Sequence, residues 1–134
     1  MSMTSYERIK NSIVLDFEEY MEDEGLTVVQ VSARILEEDW RRVNDSLFTK
    51  TLYFVSIAIE SLKNNVIADF IYSKLDMYLE NIKFEEMIDK EDVEHLLQDI
   101  KICRKLIDKN EYKILETSDS TKAGVDYILG LKVK

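Results

Sequence analysis

The stretch DFEEYMEDEG, residues 16–25, carries six acids in ten residues: Asp16, Glu18, Glu19, Glu22, Asp23 and Glu24. Carboxylates at this density attract cations, either a metal ion or the basic side chains of a partner. They fall at the end of a helix that periodicity predicts from Ser5 to Glu24. The helix macrodipole puts partial negative charge there. Each acid should cost a few tenths of a kcal/mol, up to about 1 at low salt. Arg8 and Lys10, at the start, are reversed in the same sense. The acids also lack obvious basic partners four residues away. Local rules are broken in this way where function overrides stability. Glu18, Glu19 and Glu22 point opposite the apolar face, with Leu15 among them. Leucine beside unpaired carboxylates fits an apolar anchor within an acidic interface. The competing reading is a solvated face that keeps the chain soluble, with Leu15 one exposed leucine among many.

The next helix, predicted from Thr27 to about Asn44, makes a contrast. Glu37 and Glu38 stand four residues before Arg41 and Arg42, the favourable order for ion pairs. Asp39 falls on the core side of a continuous helix. Either the helix ends early or Asp39 is buried against a donor such as a tyrosine hydroxyl or an arginine. Trp40 lies at the edge of the apolar arc, suited to core packing or to anchoring an interface. The candidate partner-binding residues are therefore Leu15, Glu18, Glu19, Glu22 and Asp23, with Asp39 and Trp40 behind them.

Other chemistry is poorly served. His95 is the only imidazole, and no nucleophile stands at a recognisable spacing from it. Asp92 and His95 make one Asp-x-x-His, whereas a carboxylate-bridged di-iron site needs two such pairs. Asp16 with Glu18, or Asp89 with Glu91 and Asp92, could at most hold a hard cation weakly. No EF-hand, GxxxxGK[ST] or GxGxxG pattern occurs. No catalytic, cofactor or metal site is expected, and the chain does not read as an enzyme. Cys103 stands alone and reads as a small buried hydrophobe.

The elements that must position these residues follow from composition and periodicity. The 134 residues contain no proline and three glycines, with 46% apolar and 34% charged residues. This suits a single helical domain with a real core and disfavours a turn-rich β-sandwich. Tyr6, Ile9, Ile13, Phe17 and Tyr20 share one arc of about 60° on the first helix. Thr4 with Glu7, and Thr27 with Gln30, read as capping boxes, and Gly25 as the stop between them. A third helix, Leu47–Lys63, is apolar in nearly every direction, with Ser56, Glu60 and Lys63 as a narrow polar strip. It belongs at the centre. A fourth is predicted over Val66–Ile82 and a fifth over Asp89–Lys109. The expectation is an all-α antiparallel bundle of five to six helices around that central helix. Residues 110–134 form a less regular tail that covers the second apolar face of the fifth helix. They are read as a short helix after Ser120 or as extended chain.

Net charge is −9, distributed as −6 over residues 1–46, −6 over 47–99 and +3 over 100–134. An acidic chain is a poor binder of nucleic acid. The longest apolar run, around Leu52–Ile59, is too short to span a membrane. MSMTSYERIK lacks the apolar run of a secretory signal. A cytoplasmic protein is expected.

The pattern resembles a known family. The residues that carry the likeness are YERIKNSIVLDFEEYMEDEGLTVVQVSARILEEDW (6–40) and YFVSIAIESLKNNVIADFIYSKL (53–75). The first is an aromatic helix ending in an acidic stretch and a glycine, followed by an Ala-Arg helix. The second is an apolar Ile-Ala-x-x-x-Leu helix followed by an amphipathic one. Together they resemble the third-numbered family of small all-helical immunity proteins from bacterial polymorphic toxin systems. The likeness covers roughly the first 80 residues and involves no catalytic signature. It implies a non-catalytic protein that binds and neutralises a cognate toxin domain. An acidic surface would suit a basic toxin, and the protein would be a monomer or weak homodimer. The alternative is a regulatory or structural adaptor, possibly self-associating, that uses the same surface on a non-toxic partner.

Overall fold

The computed structural model describes residues 5–80 and 88–130. Those residues are mostly helical. The capping role of Thr4 and the predicted end of the fourth helix at Ile82 lie outside them.

Helix α1 spans Ser5–Glu18 and passes directly into one π-helical turn, Glu19–Asp23. Tyr6, Ile13 and Phe17 are buried on the anticipated face, and Ile9 and Tyr20 pack partly against the core. Gly25, at φ 67°, adopts the left-handed conformation that lets the chain reverse. The Leu26 amide then donates to the Tyr20 carbonyl at 2.9 Å. The Thr27 capping box is present. Thr27 Oγ1 accepts from the Gln30 amide at 3.2 Å, and Gln30 Oε1 accepts from the Thr27 amide at 2.9 Å.

The second predicted helix is two. Helix α2 spans Val28–Glu38, Asp39 caps it, and α3 covers Trp40–Val43. Helix α4, Leu47–Leu62, is capped by Ser46, whose hydroxyl accepts from the Thr49 amide at 3.1 Å. Thirteen of its sixteen residues are buried. It packs against α1, α5 and α6, which makes it the central element. Ser56 is buried as well, so the expected polar strip is narrower still. Buried Thr51 and Ser61 donate to the carbonyls of Leu47 and Ile57, one turn back, at 2.8 and 2.7 Å. Hydroxyls can thus sit in an apolar helix without needing outside partners.

The fourth predicted helix starts later than expected. Val66–Ala68 form strand β1, and α5 spans Asp69–Glu80. Helix α6 is Lys90–Lys109, strand β2 is Lys113–Leu115 and α7 is Asp119–Ile128. The two strands pair in parallel, Val66 opposite Lys113 and Ala68 opposite Leu115. Each follows a left-handed asparagine, Asn65 at φ 60° directly before β1 and Asn110 at φ 54° as the cap of α6. Asparagine tolerates that conformation better than most residues.

The described part of the tail does not cover α6. Its main contacts are α7 with α2, and β2 with β1 and α5. Polar ties fix this course. Asp69 pairs with Lys122 at 2.9 Å and accepts from the Thr117 amide at 3.3 Å. Lys74 pairs with Asp126 at 2.9 Å. Burial raises the Asp69 carboxyl, but Lys122 and Thr117 outweigh it and hold it below the usual carboxylate range. On the second face of α6, Ile102 stays exposed. No helix among the described residues is long and apolar enough to cross a membrane.

Candidate functional site

The acids of the first helix meet those of the second where both helices end. Asp39 leaves the helical path at φ −103° and ψ 18°. Its carboxylate accepts from the Tyr53 hydroxyl of α4 at 2.9 Å. The helix therefore ends early, and a tyrosine supplies the donor, but Asp39 is half-buried rather than buried. The break also moves Arg41 and Arg42 out of register with Glu37 and Glu38. Arg41 lies over the Trp40 ring at 5.2 Å, and Arg42 stands close enough to Tyr53 for its charge to act on the phenol. Glu38 instead accepts from the Tyr20 hydroxyl at 2.6 Å. The anticipated Glu-to-Arg pairs do not form among the described residues, because they required an unbroken helix.

Across from Asp39 stands Asp16. It is half-buried near the end of α1, within reach of the charges of Asp39, Glu38 and Glu19. Burial pushes its carboxyl up to about 6, and those three neighbours add to the effect. Four carboxylates thus share one end of the helix pair. Of the four, only Glu19 and Asp39 are among the candidate partner-binding residues read from the sequence. Asp16 was legible, since it falls one heptad after Ile9 and so within about 20° of it on the wheel. Glu38 was misread as internally paired.

Around this group, Glu18, Glu19, Glu22 and Asp23 are all exposed. Among the described residues none of these four forms an ion pair. Glu24 does: Arg34 pairs with it at 2.9 Å and lies 4.9 Å over the Tyr20 ring. That cross-helix partner could not be seen from spacing within the first helix. Leu15 is 60% exposed and Trp40 is 47% exposed. Each is next in sequence to a member of the carboxylate group, Asp16 or Asp39. Trp40 is therefore not a core residue, because the break at Asp39 turns its ring outward. The π turn matters as well. Such turns occur mostly as single interruptions, frequently at functional sites.

Comparison with protein-family models, curated proteins and solved structures returns no match. The reading of the site rests on its own chemistry. Four clustered carboxylates, three more exposed acids and two exposed apolar side chains suit a partner with basic and apolar groups. Among the described residues no group of His, Cys, Asp or Glu converges as a metal-ligand set. His95 stands on α6 with its ring edge-on to Tyr6 at 5.7 Å. Cys103 is fully buried, and burial pushes its thiol up to about 12. A thiol held protonated in this way is a poor nucleophile.

The raised Asp16 carboxyl gives a pH dependence of definite sign. The folded chain holds this proton up to about 6, whereas the unfolded chain releases it near 3.8. Between those values the folded state binds more protons, so stability falls as pH rises and then levels off. Asp16→Asn removes the penalty. It is expected to stabilise the chain at pH 7.5 by about 1–2 kcal/mol, the shift being discounted for water screening. At pH 3.5 the gain should vanish. Urea unfolding at the two pH values measures this, and an equal gain at both would exclude charge repulsion as the cause.

Proposed function

We propose that this chain is an immunity protein that binds a cognate bacterial toxin domain and neutralises it without catalysis. The observation that carries the reading is the row Glu18, Glu19, Glu22 and Asp23. These acids sit on an unfavourable helix end, lack ion-pair partners among the described residues, and lie beside exposed Leu15. The sequence likeness over the first 80 residues supports the same reading.

In this reading the helices pack as an antiparallel bundle around α4, and the protein acts in the cytoplasm as a monomer or weak homodimer. Its negative surface steers a basic toxin and speeds encounter. Leu15 and Trp40 then supply apolar contact where water is excluded. Asp39, held by Tyr53, fixes the rear of the surface. Nucleic acid is not a partner, since an acidic face repels phosphates.

The test is genetic. The protein encoded immediately upstream is expressed with and without this chain, and growth is followed. The expected result is toxicity that this chain relieves, and that a variant with Glu18, Glu19 and Glu22 reversed to lysine relieves poorly. An upstream product that is harmless, or toxic whether or not this chain is present, would favour the adaptor.

A further inference from the structure

A groove of about 670 Å³ lies between the start of α1, the α3–α4 junction and the start of α6. Small-molecule sites fall within this size range. Asp92 lines it from the first turn of α6. That residue is only 8% exposed, and its Oδ1 is buried with no hydrogen-bond partner among the described residues. Leaving a buried polar atom unsatisfied costs about 1–3 kcal/mol, and more where the group is charged. Native proteins contain few such atoms, and each calls for a cause.

The helix dipole does not supply the cause. Asp89 and Glu91 stand in the same region of α6, exposed, and gain the same attraction while keeping access to water. Asp99, on the same helix, shows how this fold treats a buried acid it keeps for structure. It is 4% exposed, accepts from the Tyr6 hydroxyl and pairs with Lys10 at 2.9 Å. Of these two buried acids on α6, one is paired from both sides and the other has an oxygen left over.

The walls indicate what would pair with it. The Tyr6 and Phe48 rings line the groove with centroids 6.4 Å apart and planes inclined at 59°. Aromatic faces attract cations and accept alkyl stems. Asp92 is close enough to Tyr6 for its charge to act on the phenol. Among the described residues the charged lining is Arg8, Arg42, Asp45, Asp89 and Asp92, a balance of −1. A single positive charge restores neutrality. A polycation would meet the two arginines.

We propose that this groove binds one primary alkylammonium group, its stem lying along Tyr6 and Phe48 and its charge reaching Asp92. A free amine and a lysine side chain carried by a protein share this chemistry. The site is distinct from the acidic end of α1 and does not depend on the immunity reading.

The full-length, ¹⁵N-labelled chain is titrated with n-butylammonium chloride and separately with acetyl-Gly-Lys-Gly-amide. Matched n-butanol with sodium chloride is the control. Saturating amide shifts are expected at Tyr6, Phe48 and Asp92 with the amines and not with the control. Saturation with the simple amine alone assigns a free amine, with the peptide alone a protein-borne lysine, and with both the ammonium in either setting. Asp92→Asn should weaken binding at least about tenfold, as loss of a charge-assisted hydrogen bond would. Phe48→Leu keeps apolar bulk and should weaken it at least about threefold through the lost ring face. It decides the matter if the Asp92 variant does not fold. No saturation by either amine up to about 100 mM, a concentration at which even fragment-like affinities register, would overturn the proposal. So would folded variants that titrate like the parent.

Discussion

Reversing Glu18, Glu19 and Glu22 to lysine is expected to weaken association with the partner by about 100- to 1,000-fold. Each carboxylate that meets a basic side chain at an interface contributes about 1–2 kcal/mol, and reversal replaces attraction with repulsion. The association rate should fall first, because long-range steering is lost. The gap between parent and variant should narrow as salt rises and the screening length shrinks to about 3 Å at 1 M. Stability should move the other way. These three acids occupy the last residue of α1 and the π turn, where the dipole favours cations. They make no ion pairs among the described residues whose loss would unfold anything. The variant should melt at or slightly above the parent temperature. Surface plasmon resonance at two ionic strengths, together with a thermal melt, reads all of this. Unchanged affinity in a folded variant would sink the acidic-face hypothesis. Lost affinity accompanied by lost stability would show the acids to be structural.

Much of this arrangement could be read from residue types, and what could not has identifiable causes. The helix faces followed from spacing because burial is a local, periodic property. Tyr6, Ile13 and Phe17 on α1 fell inward as the wheel required. Thr27 with Gln30 marked a helix start because the capping box is completed within four residues. The failures involve partners far away in sequence. Val66 and Ile67 suit a strand, but whether they form one depends on Lys113–Leu115, more than forty residues later. Asp39 ends α2 with a hydroxyl from Tyr53 on α4 beside it, and no feature of the second helix alone announces that donor. The π turn escaped because a wheel of fixed pitch cannot represent a change of pitch. At the site, the exposed acids were legible as a violation of the dipole rule. Asp16, Glu38 and Asp39 became a cluster only once the two helix ends were brought together.

Truncating Phe54 to alanine should produce the largest loss of stability, about 3–5 kcal/mol. Phe54 is fully buried at the centre of α4, and its ring lies 4.7 Å from that of Tyr78 on α5. Its removal forfeits apolar burial, leaves a cavity between two helices and breaks an aromatic pair. Against a total of about 5–15 kcal/mol for a domain, this is a large fraction. The melting temperature should fall by about 10–20 °C. The effect on binding should be of a different kind. Neighbouring Tyr53 holds Asp39, yet Phe54 itself faces the core and contributes nothing to the acidic surface. The folded fraction of the variant should therefore bind its partner with parental affinity, and the deficit should appear in the amount of active protein. Titration against a known amount of partner separates the two quantities, since the endpoint reports active concentration and the curvature reports Kd. The acid-reversal variant should show the opposite pair of results, a parental endpoint and a raised Kd. Opposite outcomes in the two variants would assign binding to the end of α1 and support to α4. A matched loss of affinity in both would mean that the surface depends on the packing beneath it, through Tyr53 and Asp39.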